Sequence, residues 1–226
     1  MSWVNATVKL SLPLTGPALV QNSPARRVPS HGTDLMASTY AIDLVPVDSL
    51  GRRTAGRDWR TLLATEPPEK FVGFGVPVLA PAGGTVVHVH DDEPDHKARR
   101  SQLALVPYML GQANRLRQGA GGLAGNYVVL ELADHRGFVA MVHLQRGSIR
   151  VDQGEVVRCG QHLAACGNSG NSTEPHLHVQ AMDGADPMAA AGVPMGFERF
   201  LEHHRGVTRL VEFGLPAEGS IIEPAG

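Results

Sequence analysis

The chain is poor in cysteine. Its 226 residues include two, Cys159 and Cys166, too few for a zinc site built from thiolates. A disulfide across the short loop between them and a pair of free thiols are both compatible with this spacing. A basic excess is missing as well: 20 Lys and Arg stand against 22 Asp and Glu, a formal net charge of −2. That excludes a nucleic-acid binder driven by phosphate contacts, which needs a basic face. No apolar run approaches the roughly 20 residues that cross a bilayer as a helix, so no transmembrane segment is expected. The N-terminal stretch "MSWVNATVKLSLPLTGPALV" has no basic region, no continuous apolar segment and no small-residue cleavage site. It does not read as a signal peptide. As the chain reads, it stays in the cytoplasm unless an export signal lies outside this sequence.

Apolar residues make up 42% of the chain, enough for a sizeable core, and 26 glycines and 16 prolines punctuate short Val/Leu/Ile-rich runs. "VKLSL" (8–12), "YAIDLVP" (40–46), "VPVLAP" (76–81), "GTVVHVH" (84–90), "NYVVLEL" (126–132), "FVAMVHL" (138–144), "EVVRC" (155–159) and "HLHVQAM" (176–182) read as strands. "PAGG" and "ADHRG" sit where tight turns would join them. The expected fold class is mainly β, with antiparallel sheets forming a sandwich or partly open barrel. A helical insertion is expected near 95–122, where Leu103, Val106, Leu110 and Ala113 fall close to helical spacing and Pro107 would divide the helix. Residues 46–70 read as a polar connection with room for one short helix.

Three of these strands carry ionisable residues among apolar neighbours. Strand periodicity sets His176, His178 and Gln180 on one face and Leu177, Val179 and Ala181 on the other. Asp43 shares a face with Ala41 and Val45, and the same alternation assigns His143 to the face of Met141, opposite Val142 and Leu144. A buried carboxylate without a partner is costly, so Asp43 calls for a backbone donor, a basic group or a metal. Taken singly, each residue is ordinary: strand histidines are mostly hydrogen-bonded core or surface groups, and an aspartate caps turns. Together they form a ligand set that suits zinc. On the residues alone the two readings stand level. A second His-x-His, His88 and His90, runs into the acidic loop "DDEPDH" with Asp91, Asp92, Asp95 and His96. The end of that strand is expected to be solvated and to bind cations weakly at most.

The segments "SHGT", "YAIDL", "GVPVLAPAGGTVVHV", "GNYVVLEL" and "MVHLQRGSIRVDQGEVVRCGQHLAACGNSGNSTEPHLHVQ" resemble, in order, the LytM/lysostaphin-type zinc metallopeptidases of family M23. The resemblance covers about residues 28–184 and is most specific from His143 to Gln180. It implies an all-β core of the duplicated hybrid motif type, in a single domain over 1–226 with extensions 1–27 and 185–226 packed on it. It also implies one zinc per chain, held by His31, Asp43 and His178, with His143 and His176 catalytic but not ligating. The activity implied is hydrolysis of peptide bonds in peptidoglycan cross-links or stem peptides, which would place the protein at the cell wall. Zinc with three protein ligands keeps a position for water. The chain has no His-Glu-x-x-His helix, so a histidine must take the role of general base.

Two alternatives stand beside this reading. A catalytically silent relative typically lacks one or more of these five residues, and all five are present. A cupin-type metal site wants a glutamate a few residues after the second histidine, and "HLHVQAMDG" has none. Between two nearby carboxylates, Asp34 sits in the polar "HGTDLMAST" and is expected to be exposed. Asp43 interrupts an apolar strand, where coordination would offset its desolvation, and is the expected ligand.

Overall fold

The computed structural model describes residues 8–54, 65–98 and 119–226. Its centre is a run of antiparallel strands whose two faces meet different surroundings. Strand β3 (Ile42–Pro46) pairs with β10 (Leu177–Met182), β10 with β7 (Phe138–Leu144), β7 with β6 (Asn126–Leu132), and β6 with β5 (Gly84–His90). One face is wholly apolar: Ile42, Leu44, Val128, Leu130, Met141, Leu177 and Val179 are fully buried. They pack against Val78, Leu163 and Ala164 from a second, two-stranded sheet, β4 (Pro77–Leu79) with β9 (His162–Ala165). Each such side chain contributes about 1.5–3 kcal/mol, so this face holds the layers together. The opposite face carries the histidines.

Strands β5, β6 and β7 fall where the sequence patterns place them, because their alternation is long and turn-bounded. The sheet continues beyond them in both directions. Strand β8 (Val156–Val157) lies outside β5, and β11 (Gly192–Val193) pairs with β10. Beyond β3 come β2 (Ala18–Gln21), β14 (Ile221–Pro224), β12 (Met195–His204) and β1 (Val8–Leu10), with β13 (Val207–Gly214) on the other side of β12. The sheet does not close into a barrel. Strand β1 runs parallel to β12, with Val8 opposite Met195, so the sheet is mixed and not purely antiparallel as the sequence patterns suggested.

The tail after Gly184, which carries little of the family resemblance, contributes β11 to β14. Its hairpin β12–β13 turns on Arg205 and Gly206, both at positive φ (50° and 79°), the conformation of a two-residue hairpin loop. Inside it, Glu202 is buried opposite Arg209 and accepts from Arg209 Nε at 2.7 Å and from the Ala217 amide at 2.7 Å. Most of the helical insertion expected near 95–122 lies outside the described residues. What is described is one short helix, α1 (Gly119–Ala124). Part of the expected polar connection also lies outside them; the described part ends in a single 3₁₀ turn, Pro68–Lys70.

Candidate metal centre

Pairing register creates the site. In the β3–β10 ladder His178 stands directly opposite Asp43, with Leu177 and Val179 turned to the core on either side. Strand β10 therefore delivers its second histidine to the only charged residue of β3. His31 arrives from the loop between β2 and β3. Its Nε2 is 3.1 Å from Asp43 Oδ2, and His178 Nδ1 is 2.9 Å from Asp43 Oδ1. Among the described residues these three form a group able to hold a metal ion, their ligand atoms within 4.8 Å of one another. Asp43 and His178 are buried and His31 is half-buried.

Hydrogen bonds behind the three residues decide which atoms face inward. Ser30 Oγ donates to the Ser38 carbonyl at 3.1 Å, so it accepts from His31 Nδ1–H at 2.9 Å and leaves Nε2 with a lone pair. Gln180 Nε2 donates to the Met36 carbonyl at 2.7 Å, which turns Oε1 toward His178 Nε2 at 2.9 Å. His178 Nε2 must carry the proton, and Nδ1 faces Asp43 with a lone pair. Asn22 Nδ2 donates to Asp43 Oδ2 at 2.7 Å. Two imidazole lone pairs and a carboxylate thus converge with no donor among them. Such a constellation is satisfied by a cation, and its outer hydrogen bonds have the form that orients metal ligands.

His143 reaches the same cavity by a route that strand alternation does not foresee. Its φ is +63°, and the β6–β7 register jumps from Asn126 opposite Leu144 to Tyr127 opposite Val142. His143 is the extra residue of a bulge. The bulge turns it onto the face of Ala140 and Val142, which line the cavity with it, while Met141 and Leu144 remain in the core. The expectation that His143 shares a face with Met141 is thereby corrected. A non-glycine residue at positive φ beside a cluster of ionisable groups is a common mark of a functional site.

The cavity has a volume of about 350 Å³ and is lined by His31, Asp43, His143, His176 and His178 together with Tyr127 and Val129. His143 Nδ1–H donates to the Ser169 carbonyl at 3.0 Å, and His176 Nδ1–H to the Glu174 carbonyl at 2.8 Å. The two rings lie 4.9 Å apart, and His176 Nε2 is 3.5 Å from Asp43 Oδ1. Burial lowers the His143 pKa well below the ordinary imidazole value, with the neighbouring His176 and His178 acting in the same direction. For His176, burial is outweighed by the charge and hydrogen bond of Asp43, and its pKa is raised. Burial would raise the Asp43 pKa, but the charge and hydrogen bond of His176 hold it well below the carboxylate range.

The fold brings together all five residues singled out in the sequence. Asp34 is exposed, and its carboxylate accepts from Thr39 Oγ1 at 2.8 Å. The acidic loop after His90 is packed where a solvated end was expected. Asp91 accepts from the Gly147 amide at 2.8 Å, and Asp95 accepts from the amides of Asn168 and Arg146 at 2.6 and 2.9 Å. Ser30 and Asn22 escaped the sequence analysis, because nothing local in "VQNSPARRVPSH" shows that β2 pairs beside Asp43. Gln180 was visible only as a residue on the histidine face.

Residues 109–190 match the sequence profile of "Peptidase family M23". That stretch is similar to family M23. The matched span includes His143, His176 and His178, whereas His31 and Asp43 lie before it; Asp43 joins it through strand pairing and His31 through its contact with Asp43. An uncharacterized metalloprotease of Haemophilus influenzae is 32% identical over 117 residues, which is 50% of this chain and 18% of that protein. Peptidoglycan DD-endopeptidase ShyA of Vibrio cholerae is 36% identical over 74 residues, 32% of this chain and 16% of that protein. The chain thus spans less than a fifth of the length of these two relatives. The catalytic domain of lysostaphin from Staphylococcus simulans aligns at 23% identity with a TM-score of 0.36, covering 54% of this chain and 70% of that one.

Proposed function

We propose that this protein is a zinc-dependent endopeptidase that hydrolyses peptide bonds in peptidoglycan cross-links or stem peptides. The observation that carries this reading is the convergence of His31 Nε2, His178 Nδ1 and the Asp43 carboxylate, all three presented as acceptors. Two imidazoles and a carboxylate suit zinc, and these residues would hold it. When bound, the ion supplies Lewis acidity that brings the ionisation of water close to neutral pH. The peptidoglycan part rests on the likeness to the Vibrio cholerae endopeptidase.

His143 and His176 do the proton work in this proposal. Each commits Nδ1–H to a backbone carbonyl, which fixes the ring and leaves Nε2 available to the cavity it lines. Burial keeps His143 neutral at pH 7, and a cation beside Asp43 acts in the same direction, so its Nε2 can accept a proton from the attacking water. His176, between His143 and Asp43, is placed to hydrogen-bond the scissile carbonyl oxygen as that oxygen gains charge. The test is metal analysis of the purified protein, followed by digestion of purified peptidoglycan fragments. About one zinc per chain and new amino termini are expected. Bound zinc with intact fragments would sink the peptidase reading and leave a catalytically silent binding protein of the same family.

A further inference from the structure

Gln180 lies two residues beyond His178 on the same face of β10, and nearly all of its surface is buried. Its amide is locked end for end. Nε2 donates to the Met36 carbonyl at 2.7 Å, and Oε1 stands 2.9 Å from His178 Nε2. A flipped amide would set its oxygen against the Met36 carbonyl, two acceptors at hydrogen-bond distance. Met36 and Ala37 both take left-handed backbone conformations, with φ of 55° and 59°. Ordinary residues adopt that region only when their surroundings over-determine it. The loop that carries the Met36 carbonyl is itself held by Ser38, whose single Oγ–H is shared between the carbonyls of Leu35 and Thr33, at 2.8 and 3.0 Å.

We infer that Gln180 is a positioning residue that selects the His178 tautomer, keeping the proton on Nε2 so that Nδ1 is the nitrogen offered to the metal. The inference rests on the metal reading above. The chain runs from the Met36 carbonyl through the Gln180 amide and the His178 ring to the Asp43 side of the cavity, and each link has one allowed polarity. An imidazole without this partner divides its proton between two nitrogens and turns about its own axis. Both freedoms must be lost when an ion binds.

The test compares zinc affinity, by competition with a chromophoric chelator, in the wild-type chain, Gln180→Leu and Gln180→Glu. Leucine removes every polar contact of Gln180, whereas glutamate keeps an acceptor for His178 Nε2–H, loses the donors to the Met36 carbonyl and Met182 Sδ, and sets its second oxygen against that carbonyl. Gln180→Leu should weaken zinc binding by about 10–100-fold, the usual cost of removing such a partner, and Gln180→Glu, whose carboxylate still accepts from His178, should weaken it clearly less. If glutamate weakens binding as far as leucine does, the residue merely anchors the Met36 loop and the inference is overturned. Unchanged affinity in Gln180→Leu would overturn it too. Should a variant fail to fold, ¹H–¹⁵N spectra of the zinc-loaded wild-type chain still decide the matter. A proton on His178 Nε2 supports the inference, and one on Nδ1 refutes it. A wild-type chain that binds no zinc would instead defeat the metal reading itself.

Discussion

Two strands of this protein carry His-x-His, and they have different fates. In β5, His88 and His90 stand opposite Val129 and Tyr127 of β6. His90 stacks on the Tyr127 ring, and its Nε2 lies 3.6 Å from Glu93 with its side chain one-third exposed. In β10, His178 faces Asp43 across the β3 ladder, and His176 and His178 are 9% and 8% exposed. The motif is the same; the cross-strand neighbour is not. A pair of same-face imidazoles becomes a candidate metal site only where register supplies a buried carboxylate and an outer layer fixes the tautomers.

The sharpest way to break this comparison is to remove His178 from one strand face and both histidines from the other. His178→Ala should abolish tight zinc binding and with it peptidase activity, whereas His88→Ala combined with His90→Ala should leave the metal content unchanged. Metal analysis after dialysis decides between them, and the reverse result would mean that β5 holds the site. Next in size, His143→Ala and His176→Ala should each retain zinc and lose about 10²–10⁴-fold in the rate of fragment hydrolysis, the usual worth of a proton-transfer or oxyanion partner. Full activity in both would remove the roles proposed for them. Smaller still, Ser30→Ala frees the His31 ring without removing a ligand. It should weaken zinc binding by about 10-fold, at the low end for an outer partner, as read by chelator competition.

The smallest effect concerns the metal-free protein and its pH dependence. Asp43 has a lowered pKa in the folded chain, so its contribution is present above the unfolded value of about 3.9 and is lost as pH falls through the folded one. His176 has a raised pKa, so its contribution is present below about 6.5 and is lost as pH rises through the folded value. Both are in force between about pH 4 and 6.5. The stability difference between wild type and His176→Ala, from urea denaturation in the presence of chelator, should be greatest in that window and shrink on either side. A difference flat across pH would show that the two groups are not paired as charges.

Much of this was legible in the sequence. Strands β5, β6 and β7 could be read because long alternation and flanking turns leave little freedom in their placement. The shared face of His176, His178 and Gln180 followed from a period of two. The face of His143 did not, since one residue at positive φ shifts every later side chain by one step and no local pattern announces it. The β12–β13 hairpin was missed because β13, "VTRLVEFG", is largely exposed and carries no continuous apolar face. Its turn, Arg-Gly, is also a weak signal beside Asn-Gly or Asp-Gly. Asn22 and Ser30 belong to contacts set by long-range pairing, which a single sequence does not display.

The separation of the ligands along the chain has a consequence on the ribosome. Asp43 and His178 are 135 residues apart, and β10 sits between β3 and β7, not at an edge. At typical rates of synthesis, Asp43 emerges on the order of ten seconds before its partner. In a chain that lacks β10, the edges of β3 and β7 that pair with it would have no partner, the kind of surface that invites wrong pairing. Insertion of β10 would pair both edges and complete the candidate ligand set in the same event. Ion capture would then mark the moment at which the central sheet is finished, and a nascent chain stalled before His178 would hold no ion tightly.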